Sequence, residues 1–449
     1  MSFTIPDDAS AVIDALEKDG FEAYLVGGCV RDMLLGARPA DWDVCTAATP
    51  DQVKLALDGY RVIETGVKHG TVTVISGGEH IEVTTFRTDG TYSDNRRPDS
   101  VTFVRDLNTD LARRDFTVNA IAYRPPGEII DLFGGRRDLS SGIIRCVGVP
   151  ETRFREDALR VMRALRFASA MGFTVDDATL RAALSCRELL KTVAAERVSE
   201  ELGKLLTGKG AAEALAAGVR VVETVIPELS ETVGFEQHNP YHDKDVWEHT
   251  LAAVAGAPRD LVVRLALLLH DIAKPRCYTS LNGVGHFYGH PAAGAETARK
   301  ILKRLKFSSE TVKTVSELIY HHDNRVRADE KNIKRWLGRL GERMLRLLVA
   351  VQRADTLGHS PYMRDGRLAE LDAVSAMLDE MVARRPCVTL RDLAVNGDDL
   401  ISAGVERGPA IGAALRSLLE LVIDGELPNE KSALLSKVDE AHRRRASVE

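Results

Sequence analysis

The chain has 449 residues, of which 44% are apolar and 28% are charged, and this composition is typical of a soluble globular protein. The length exceeds what one hydrophobic core organises, so we expect roughly three domains. The formal net charge of −6 argues against a protein that coats nucleic acid indiscriminately, and an RNA partner would need a local basic surface.

We find no segment that predicts export or membrane insertion. The first residues, MSFTIPDDAS, lack a basic region followed by an apolar core, and the apolar run at 261–270 is about half of a membrane span. The six cysteines are scattered without a C-x-x-C pair, which is neither a zinc-ribbon spacing nor a disulfide framework. We therefore expect a cytoplasmic protein with no membrane partner.

The pattern of predicted elements changes along the chain. A helix at 9–18 leads into the strand FEAYLV, and the runs DWDVCT, GTVTVI, HIEVTTF and VTFV predict further strands. From about residue 151 the strand signals stop, and helical periodicity continues almost to the end. These patterns predict an α+β fold, with a mixed sheet and helices first and an all-helical remainder. We place boundaries near residues 150, 230 and 370.

Three acidic residues in the predicted strands are candidate metal ligands. Asp41 and Asp43 in DWDV alternate along one strand and so project from the same face. Glu82 in HIEVTTFR lies on a later strand that can pair alongside, and three carboxylates so arranged suit a two-metal site. The alternative is an exposed, solvated strand face.

A candidate phosphate-binding turn lies upstream, in YLVGGCVRDMLLG. Gly27 and Gly28 separate a strand from a short helix and permit close backbone approach to a phosphate, and Arg31 adds a positive charge. A plain strand-to-helix turn explains the same residues equally well.

Four motifs in this order, GGCVRDMLLG, DWDV, IEVTTFR and RRDFTVNA, resemble the class II tRNA nucleotidyltransferases and the bacterial poly(A) polymerases. The resemblance continues through RFREDALRVMRALRFA (153–168) and AERVSEEL (195–202). It implies a polymerase-beta-type catalytic head at 1–150, then a helical neck at 151–230 that recognises the nucleotide base and RNA, a body at 231–370 and a tail at 371–449.

The resemblance also implies roles for individual residues. Asp41 and Asp43 would bind the catalytic Mg²⁺ ions, with Glu82 as the third carboxylate. The nucleotide would be held by residues of the glycine turn and of RRDFTVN, namely Gly27, Gly28, Arg31, Arg114, Asp115 and Asn119. The alternative for the RRD segment is a surface salt-bridge cluster.

The segment EDALR predicts base selection. Asp157 and Arg160 are three apart on a predicted helix and so share one face. A carboxylate that accepts and a guanidinium that donates match cytosine and adenine, but they leave polar groups unpaired against uracil and guanine. The resembled family uses this pair in place of a nucleic-acid template, and we assign Arg163 to the same nucleotide site. The alternative is an intrahelical ion pair.

Two further segments carry open alternatives. DGTYSDNRRPDSV (89–101) resembles the flexible loop of complete CCA enzymes, which enzymes that add only CC lack, and a solvated hairpin loop is the alternative. KNIKRWLGRLGERMLR (331–346) has six basic residues and one acid, and it could track an RNA backbone. A solvated helix face with an apolar core stripe explains this second segment at least as well.

The histidines predict a second metal site. Eight of the twelve fall between His238 and His322. The order of His249, His270-Asp271, a later histidine and Asp355 resembles the HD phosphohydrolase superfamily. The resemblance implies His249, His270, Asp271 and Asp355 as ligands of a divalent metal such as Mg²⁺, Mn²⁺ or Ni²⁺. A second metal position could be completed by His290, His321 and His322. The resemblance to HD phosphohydrolases further implies phosphatase and 2′,3′-cyclic phosphodiesterase activity on RNA ends.

Three functions follow from these motifs. The first is the addition of C, C and A to the 3′ end of tRNA from CTP and ATP, with an A-adding enzyme or a poly(A) polymerase as near relatives. The second is an HD phosphohydrolase whose head only recruits RNA. The third is a non-enzymatic RNA-binding or nucleotide-sensing protein. Two complete sets of metal ligands favour an enzyme. We expect no DNA partner, and the oligomeric state stays open.

Overall fold

The computed structural model describes residues 3–90 and 100–446, which form two compact units. The first unit comprises Met1–Ser230 with Ile301–Phe307, and the second comprises Glu231–Lys300 with Ser308–Glu449. Helices predominate, and the largest described sheet lies in the first unit. The predicted α+β fold, with a mixed sheet in the head and a helical remainder, is confirmed. Among the described residues, no helix is both long enough and apolar enough to cross a membrane.

The first unit is built around a mixed sheet. The strands of this unit are β1 (Ala23–Val26), β2 (Trp42–Thr46), β3 (Arg61–Gly66), β4 (Thr71–Ser76), β5 (Glu79–Thr85), β6 (Arg87–Asp89), β7 (Val101–Phe103), β8 (Ala122–Arg124), β9 (Glu128–Ile130), β10 (Ile143–Ile144) and β11 (Thr174–Val175). Seven of them form a sheet in the order β3-β4-β5-β2-β1-β8-β9. Only β2 and β5 run parallel in it, and the other neighbours are antiparallel.

Alternation of side chains explains this sheet. In β5, Ile81 and Val83 are fully buried, whereas Glu82 between them is exposed. Leu25 of β1 and Val44 of β2 add to the same core. The strands predicted before residue 151 are therefore confirmed to within a few residues.

Helices cover the sheet and complete the first unit. They are α1 (Asp7–Lys18), α2 (Gly28–Leu34), α3 (Pro50–Ala56), α4 (Leu107–Ala112), α5 (Gly135–Ser141), α6 (Pro150–Glu156), α7 (Leu159–Met171), α8 (Asp177–Cys186), α9 (Ala195–Leu206), α10 (Ala211–Ala217) and α11 (Val219–Val225). Local sequence sets their starts: Thr49 and Gln52 form a capping box around α3, and Asp176 caps α8 through the backbone N–H of Thr179.

The chain after residue 231 is mostly helical. Its helices are α12 (Val246–Gly256), α13 (Leu261–Leu269), α14 (His290–Arg304), α15 (Ser309–His321), α16 (Glu330–Gly358), α17 (Pro361–Arg384), α18 (Gly397–Ser402), α19 (Pro409–Ile423) and α20 (Lys431–Ala446). A hairpin of β12 (Thr279–Leu281) and β13 (Val284–His286) interrupts them. Its turn is Asn282-Gly283, with φ of 53° and 79°, a pair that favours a two-residue hairpin turn.

The basic segment at 331–346 lies on α16. Gly341, with φ of 75°, breaks this helix in the middle of the segment. Lys331 and Arg335 pair with Asp424, and Arg343 pairs with Glu310. These ion pairs favour the solvated helix face over an RNA-binding surface.

Candidate active sites

Three carboxylates converge at the junction of β2 and β5. Asp43 on β2 lies opposite Glu82 on the parallel neighbour β5, and Asp41 directly precedes β2. Trp42 and Val44 are buried on one face of β2, so Asp43 projects from the other face. The predicted pairing of the two acidic strands is confirmed, and the catalytic roles of the three acids stay predictions.

The electrostatics of this cluster fit a divalent cation. Burial, together with the charges of Glu82 and Asp41, raises the pKa of the Asp43 carboxyl to about 6, against the opposing effect of Arg114 and Arg31. A divalent cation would relieve the repulsion among the three carboxylates, and Mg²⁺ prefers such oxygen ligands. The side chains present therefore fit Mg²⁺.

Gly27 forms the turn between β1 and α2. Its φ of 76° and ψ of −130° are a conformation that only glycine adopts readily. A Cβ atom at this position would lie 3.2 Å from Nη1 of Arg114 and 3.6 Å from Oδ2 of Asp43. The absent side chain thus leaves space beside a cation and a carboxylate of the site. Gly28 begins α2, and Arg31 follows one turn later.

A chain of hydrogen bonds joins four of the predicted nucleotide-binding residues. Nη1 of Arg31 donates to Oδ1 of Asn119 at 2.9 Å, and Nδ2 of Asn119 donates to Oδ1 of Asp115 at 3.2 Å. Nε of Arg163 donates to Oδ2 of Asp115 at 2.9 Å. Burial alone would raise the pKa of Asp115, but Arg163 and Arg160 hold that pKa well below its usual range. Asp115 is therefore an ionised anchor for the arginines around it.

Asp110 is a residue of the first site that the sequence analysis missed. Its side chain is 0% exposed, and one oxygen accepts hydrogen bonds from Nε and Nη2 of Arg113 at 3.0 and 2.7 Å. The other oxygen accepts from Nη2 of Arg114 at 3.1 Å. This carboxylate fixes Arg114 beside Asp43. The signal was the spacing of three and four residues between the acid and the two arginines at the end of α4.

The expectation that Asp157 and Arg160 share one helix is wrong. The backbone of Asp157 is extended, with φ of −134° and ψ of 105°, and it lies between α6 and α7. Its Oδ1 accepts from the backbone N–H of Leu159 at 3.1 Å, and such a bond competes with a continuous helix. Arg160 instead donates to Oε2 of Glu156 at 2.8 Å and to the carbonyl of Arg113 at 3.0 Å. The backbone N–H of Arg160 donates to the carbonyl oxygen of Asp157 at 3.0 Å, but among the described residues no hydrogen bond or ion pair joins the two side chains.

The predicted loop at 89–101 lies mostly outside the described residues, which omit 91–99. On either side of that gap, β6 and β7 pair antiparallel, with Thr88 opposite Thr102. The role of the loop stays a prediction.

The second site lies in the second unit, where the four predicted core ligands meet. Nε2 of His249 on α12 lies 2.8 Å from Oδ1 of Asp355 on α16 and 3.2 Å from Nε2 of His270. Nε2 of His270 lies 3.2 Å from Oδ2 of Asp271, and both residues directly follow α13. Side chains from three separate helical segments thus present nitrogen and oxygen ligands to one point.

Asp271 is the strongest indication of a metal at this site. It is 1% exposed, yet neither carboxylate oxygen accepts a hydrogen bond from a described residue. Nζ of Lys274 lies 2.7 Å from Oδ2, which is an ion pair without hydrogen-bond geometry. Burial would raise the pKa of Asp271, but His270 and Lys274 hold it well below its usual range. A buried carboxylate with unused lone pairs beside several imidazoles fits a divalent transition metal or Mg²⁺.

A second group of ligands shares Asp271. Nε2 of His290 lies 3.5 Å and Nε2 of His322 lies 3.7 Å from Oδ1 of Asp271, and the two imidazole nitrogens are 3.2 Å apart. His321 is absent from the described ligand groups because consecutive residues of a helical turn point in different directions. Its ring packs edge-on against Trp336, and its Nδ1 accepts from Asn324 at 3.0 Å. The expectation that His321 completes the second metal position is therefore wrong.

The sequence analysis also missed His242 and His359. With His249 they form a third group of ring nitrogens within 4.8 Å of one another. Nε2 of His359 lies 3.7 Å from Oδ2 of Asp355, one helical turn earlier. Both residues lie outside the H…HD…D order, and only the i, i+4 spacing of Asp355 and His359 signalled a contact. A cavity of about 860 Å³ is lined by residues of these candidate ligand groups, among them Asp271, His290 and Asp355.

Comparisons with known proteins agree with the first site. Residues 23–145 match the family described as the poly A polymerase head domain, and residues 172–231 match the family described as "Probable RNA and SrmB-binding site of polymerase A". Residues 292–438 match a family of tRNA nucleotidyltransferase domain 2. The fold, the carboxylate cluster and these matches define a nucleotidyltransferase.

Whole-chain similarities are more specific. The chain is 38% identical over 437 residues to a CCA-adding enzyme of Levilactobacillus brevis, covering 96% of each protein. It is 33% identical to the Bacillus stearothermophilus CCA-adding enzyme solved in complex with CTP, with a TM-score of 0.72 over 99% of this chain and 100% of that one. The chain belongs to the family of CCA-adding enzymes. The Thermotoga maritima CCA-adding enzyme complexed with tRNA, at 20% identity and a TM-score of 0.60, shares the fold.

Proposed function

We propose that this chain adds C, C and A to the 3′ end of tRNA, with CTP and ATP as substrates. The observation that carries the proposal is the carboxylate cluster of Asp41, Asp43 and Glu82, which lies beside Arg114 and the Gly27 turn. The choice of tRNA as acceptor and of CTP and ATP as nucleotides is inferred from membership of the CCA-adding family. An A-adding enzyme and a poly(A) polymerase remain the nearest alternatives.

The reaction is an in-line displacement at the α-phosphorus of the nucleotide. The terminal hydroxyl oxygen of the tRNA bonds to that phosphorus, the bond to the β-phosphate bridging oxygen breaks, and pyrophosphate leaves. Asp41, Asp43 and Glu82 would hold Mg²⁺, which when bound neutralises the charge on the attacking and leaving oxygens. The hydroxyl proton passes to solvent.

The nucleotide-binding residues orient the triphosphate and the ribose. The space beside Gly27 allows a phosphate to approach the backbone, and Gly28 begins α2 with free N–H groups. Arg114, held by Asp110, is placed to contact a phosphate next to Asp43. Arg31, Asn119, Asp115 and Arg163 form a hydrogen-bonded chain that would present fixed donors and acceptors to the ribose and the base.

Asp157 and Arg160 would select C and A over U and G. Their hydrogen bonds to Leu159, Glu156 and Arg113 differ from those a base would receive, so we infer that nucleotide binding exchanges some of them for contacts to the base edge. Breaking these hydrogen bonds costs free energy, and only a base whose donors and acceptors match Asp157 and Arg160 can offset that cost.

The test of the first proposal uses purified protein, Mg²⁺ and tRNA transcripts that end before CCA, after C or after CC. CTP and ATP are supplied separately and together, and products are resolved to single nucleotides. Ordered growth to CCA and then a halt is expected. Addition of A to the CC-ended tRNA alone indicates an A-adding enzyme, and long A tails indicate a poly(A) polymerase. An Asp41→Ala variant should be inactive on every transcript, and an Asp157→Ala variant should admit UTP or GTP.

We further propose that the second site is an HD-type, metal-dependent phosphohydrolase acting on RNA ends. His249, His270, Asp271 and Asp355 would hold one divalent ion, and Asp271, His290 and His322 would hold another. A metal ion bound there lowers the pKa of water and stabilises charge on phosphate oxygens. Water oxygen bonds to phosphorus, the bond to the ribose 2′ or 3′ oxygen breaks, and that oxygen takes up a proton.

The two proposed activities can be separated by paired variants. Asp271→Ala should abolish hydrolysis of a terminal 2′,3′-cyclic phosphate to the phosphomonoester while CCA addition continues. Asp41→Ala should do the reverse. Loss of both activities in either variant would contradict two independent sites. We propose that residues 1–150 form the catalytic head, 151–230 the base-recognising neck, 231–370 the HD body and 371–449 the tail.

A further inference from the structure

Exposed tyrosines are concentrated around the second site. Four tyrosines are exposed in the described part of the chain, and three of them line the cavity above the metal ligands. These are Tyr241, Tyr288 and Tyr362, with exposed fractions of 50%, 74% and 87%. Exposed aromatic rings that cluster around one cavity are typical of ligand-binding sites. The rim therefore differs in chemistry from the floor of imidazoles and carboxylates.

Two of the rim tyrosines come from segments that are tied together. The backbone N–H of Ser360 donates to the carbonyl of Tyr241 at 2.9 Å, and Oγ of Ser360 donates to the carbonyl of Pro240 at 3.1 Å. Tyr362 follows two residues later, at the start of α17, and His359 of the third imidazole group directly precedes Ser360. Residues 359–362 thus include both His359, which belongs to the imidazole groups at the floor of the cavity, and Tyr362 of the rim.

The third rim tyrosine, Tyr288, lies directly after the hairpin of β12 and β13. β13 ends at His286, and Tyr288 follows two residues before the ligand His290. The imidazole of His286 stacks on the Tyr288 ring, with centroids 5.3 Å apart and an angle of 6° between the planes. This stacking orients Tyr288 before any ligand arrives, and a pre-oriented ring loses less entropy on binding.

The lysine and arginines of the cavity are engaged in ion pairs. Lys274 pairs with Asp271, and Arg325 and Arg367 both pair with Glu370. Each of these three cations therefore has an acidic partner, and the two arginines share a single carboxylate. The volume of about 860 Å³ is also far larger than one phosphate group needs, and it suits a ligand of nucleotide size or larger.

We propose that the tyrosine rim binds the terminal nucleobase of an RNA end by stacking, so that the second site selects a phosphorylated RNA terminus over a phosphate ester without a base. The proposal rests on the phosphohydrolase function of the second site. Every base has a π face, so the selection is for a base and not for a sequence. Tyr241, Tyr288 and Tyr362 are positioning residues, because they contact the base and not the reacting phosphorus.

The test compares two RNA oligonucleotides that end in a 2′,3′-cyclic phosphate and differ only in the last position, which carries either adenine or an abasic ribose. Hydrolysis by the Mn²⁺-loaded full chain is measured as kcat/KM, and equilibrium binding of both RNAs to the metal-free protein is measured in parallel. We expect the adenine-ended RNA to be preferred by about 5- to 100-fold. Tyr288→Ala and Tyr362→Ala should reduce this preference toward one by lowering kcat/KM for the adenine-ended RNA.

Matched variants make the result specific to stacking. Tyr288→Phe and Tyr362→Phe keep the ring and should keep the preference, and Tyr320→Ala removes an exposed tyrosine that does not line the cavity. Equal hydrolysis of the two RNAs by the wild-type chain, or faster hydrolysis of a phosphoserine peptide, would overturn the base-binding proposal and leave the phosphohydrolase intact. If neither RNA is hydrolysed but Tyr→Ala variants weaken binding of the adenine-ended RNA alone, the phosphohydrolase proposal fails and the base-binding rim stands. If binding is also insensitive to the tyrosines, both proposals fail.

Discussion

Replacing Asp43 with asparagine is expected to stabilise the first unit while abolishing nucleotide addition. The carboxyl has its pKa raised from 3.8 to about 6, so the folded chain holds this proton more tightly than the unfolded chain does. Above pH 6 the group is ionised in both states, and the folded state then carries a cost. At 1.36 kcal/mol for each pKa unit, that cost reaches about 3 kcal/mol. It fades as the pH falls through 6 and disappears below 3.8, where both states are protonated.

Urea unfolding in EDTA measures this cost. At pH 7.5 the Asp43→Asn variant should exceed the wild type in unfolding free energy by up to about 3 kcal/mol, and at pH 4.5 by about 1 kcal/mol. Asp41→Asn is the matched control, and because Asp41 is exposed its gain should be much smaller. Mg²⁺ should stabilise the wild type more than Asp43→Asn. A variant that is no more stable than the wild type at pH 7.5, or a gain that ignores pH, would refute the repulsion argument.

Three further predictions concern single side chains. Asp110→Asn should lower the free energy of unfolding by about 3–5 kcal/mol in urea, because two arginines lose their buried partner, and a loss under about 1 kcal/mol would contradict this. Gly27→Ala should reduce nucleotide addition more than about tenfold, because its Cβ would contact Arg114 and Asp43. Gly36→Ala is the control, since Gly36 also has a positive φ, of 72°, but its Cβ would have no neighbour within 4 Å. Equal losses of activity in the two variants would exclude the steric explanation. His322→Ala should lower the metal content of the purified protein and His321→Ala should not, as elemental analysis can establish.

The first site was predictable where chemistry follows local periodicity. Asp43 and Glu82 could be assigned to adjacent strands because each acid interrupts an alternating apolar run. Asp157 was misplaced for a related reason: helical periodicity runs through EDALR, and nothing in it marks the side-chain bond to Leu159 that separates α6 from α7. The spacing of Asp110 to Arg113 and Arg114 indicated a contact, but the role of Asp110 as a buried partner of both arginines depends on its burial, which the sequence does not show.

The second site was predictable in its core and not in its periphery. The H…HD…D order predicted His249, His270 and Asp355 as ligands, because this order of residue types resembles the HD superfamily. The structure brings the three together from separate helical segments. Adjacent histidines could not be told apart, because the direction of His321 depends on where the last turn of α15 ends. The hairpin that carries Tyr288 was missed although Asn282-Gly283 is a strong turn signal, because its strands are only three residues long.

The parallel pairing of β2 with β5 has a consequence for how the protein folds. Asp43 and Glu82 are 39 residues apart in the sequence, and α3, β3 and β4 lie between them. Loop closure over this distance has to precede the contact, so the pairing is among the slower steps in forming the sheet. The proposed Mg²⁺ site is incomplete until β2 and β5 pair and bring Asp43 opposite Glu82. If the three carboxylates bind Mg²⁺ as proposed, the time at which Mg²⁺ first binds during refolding would report when β2 and β5 pair.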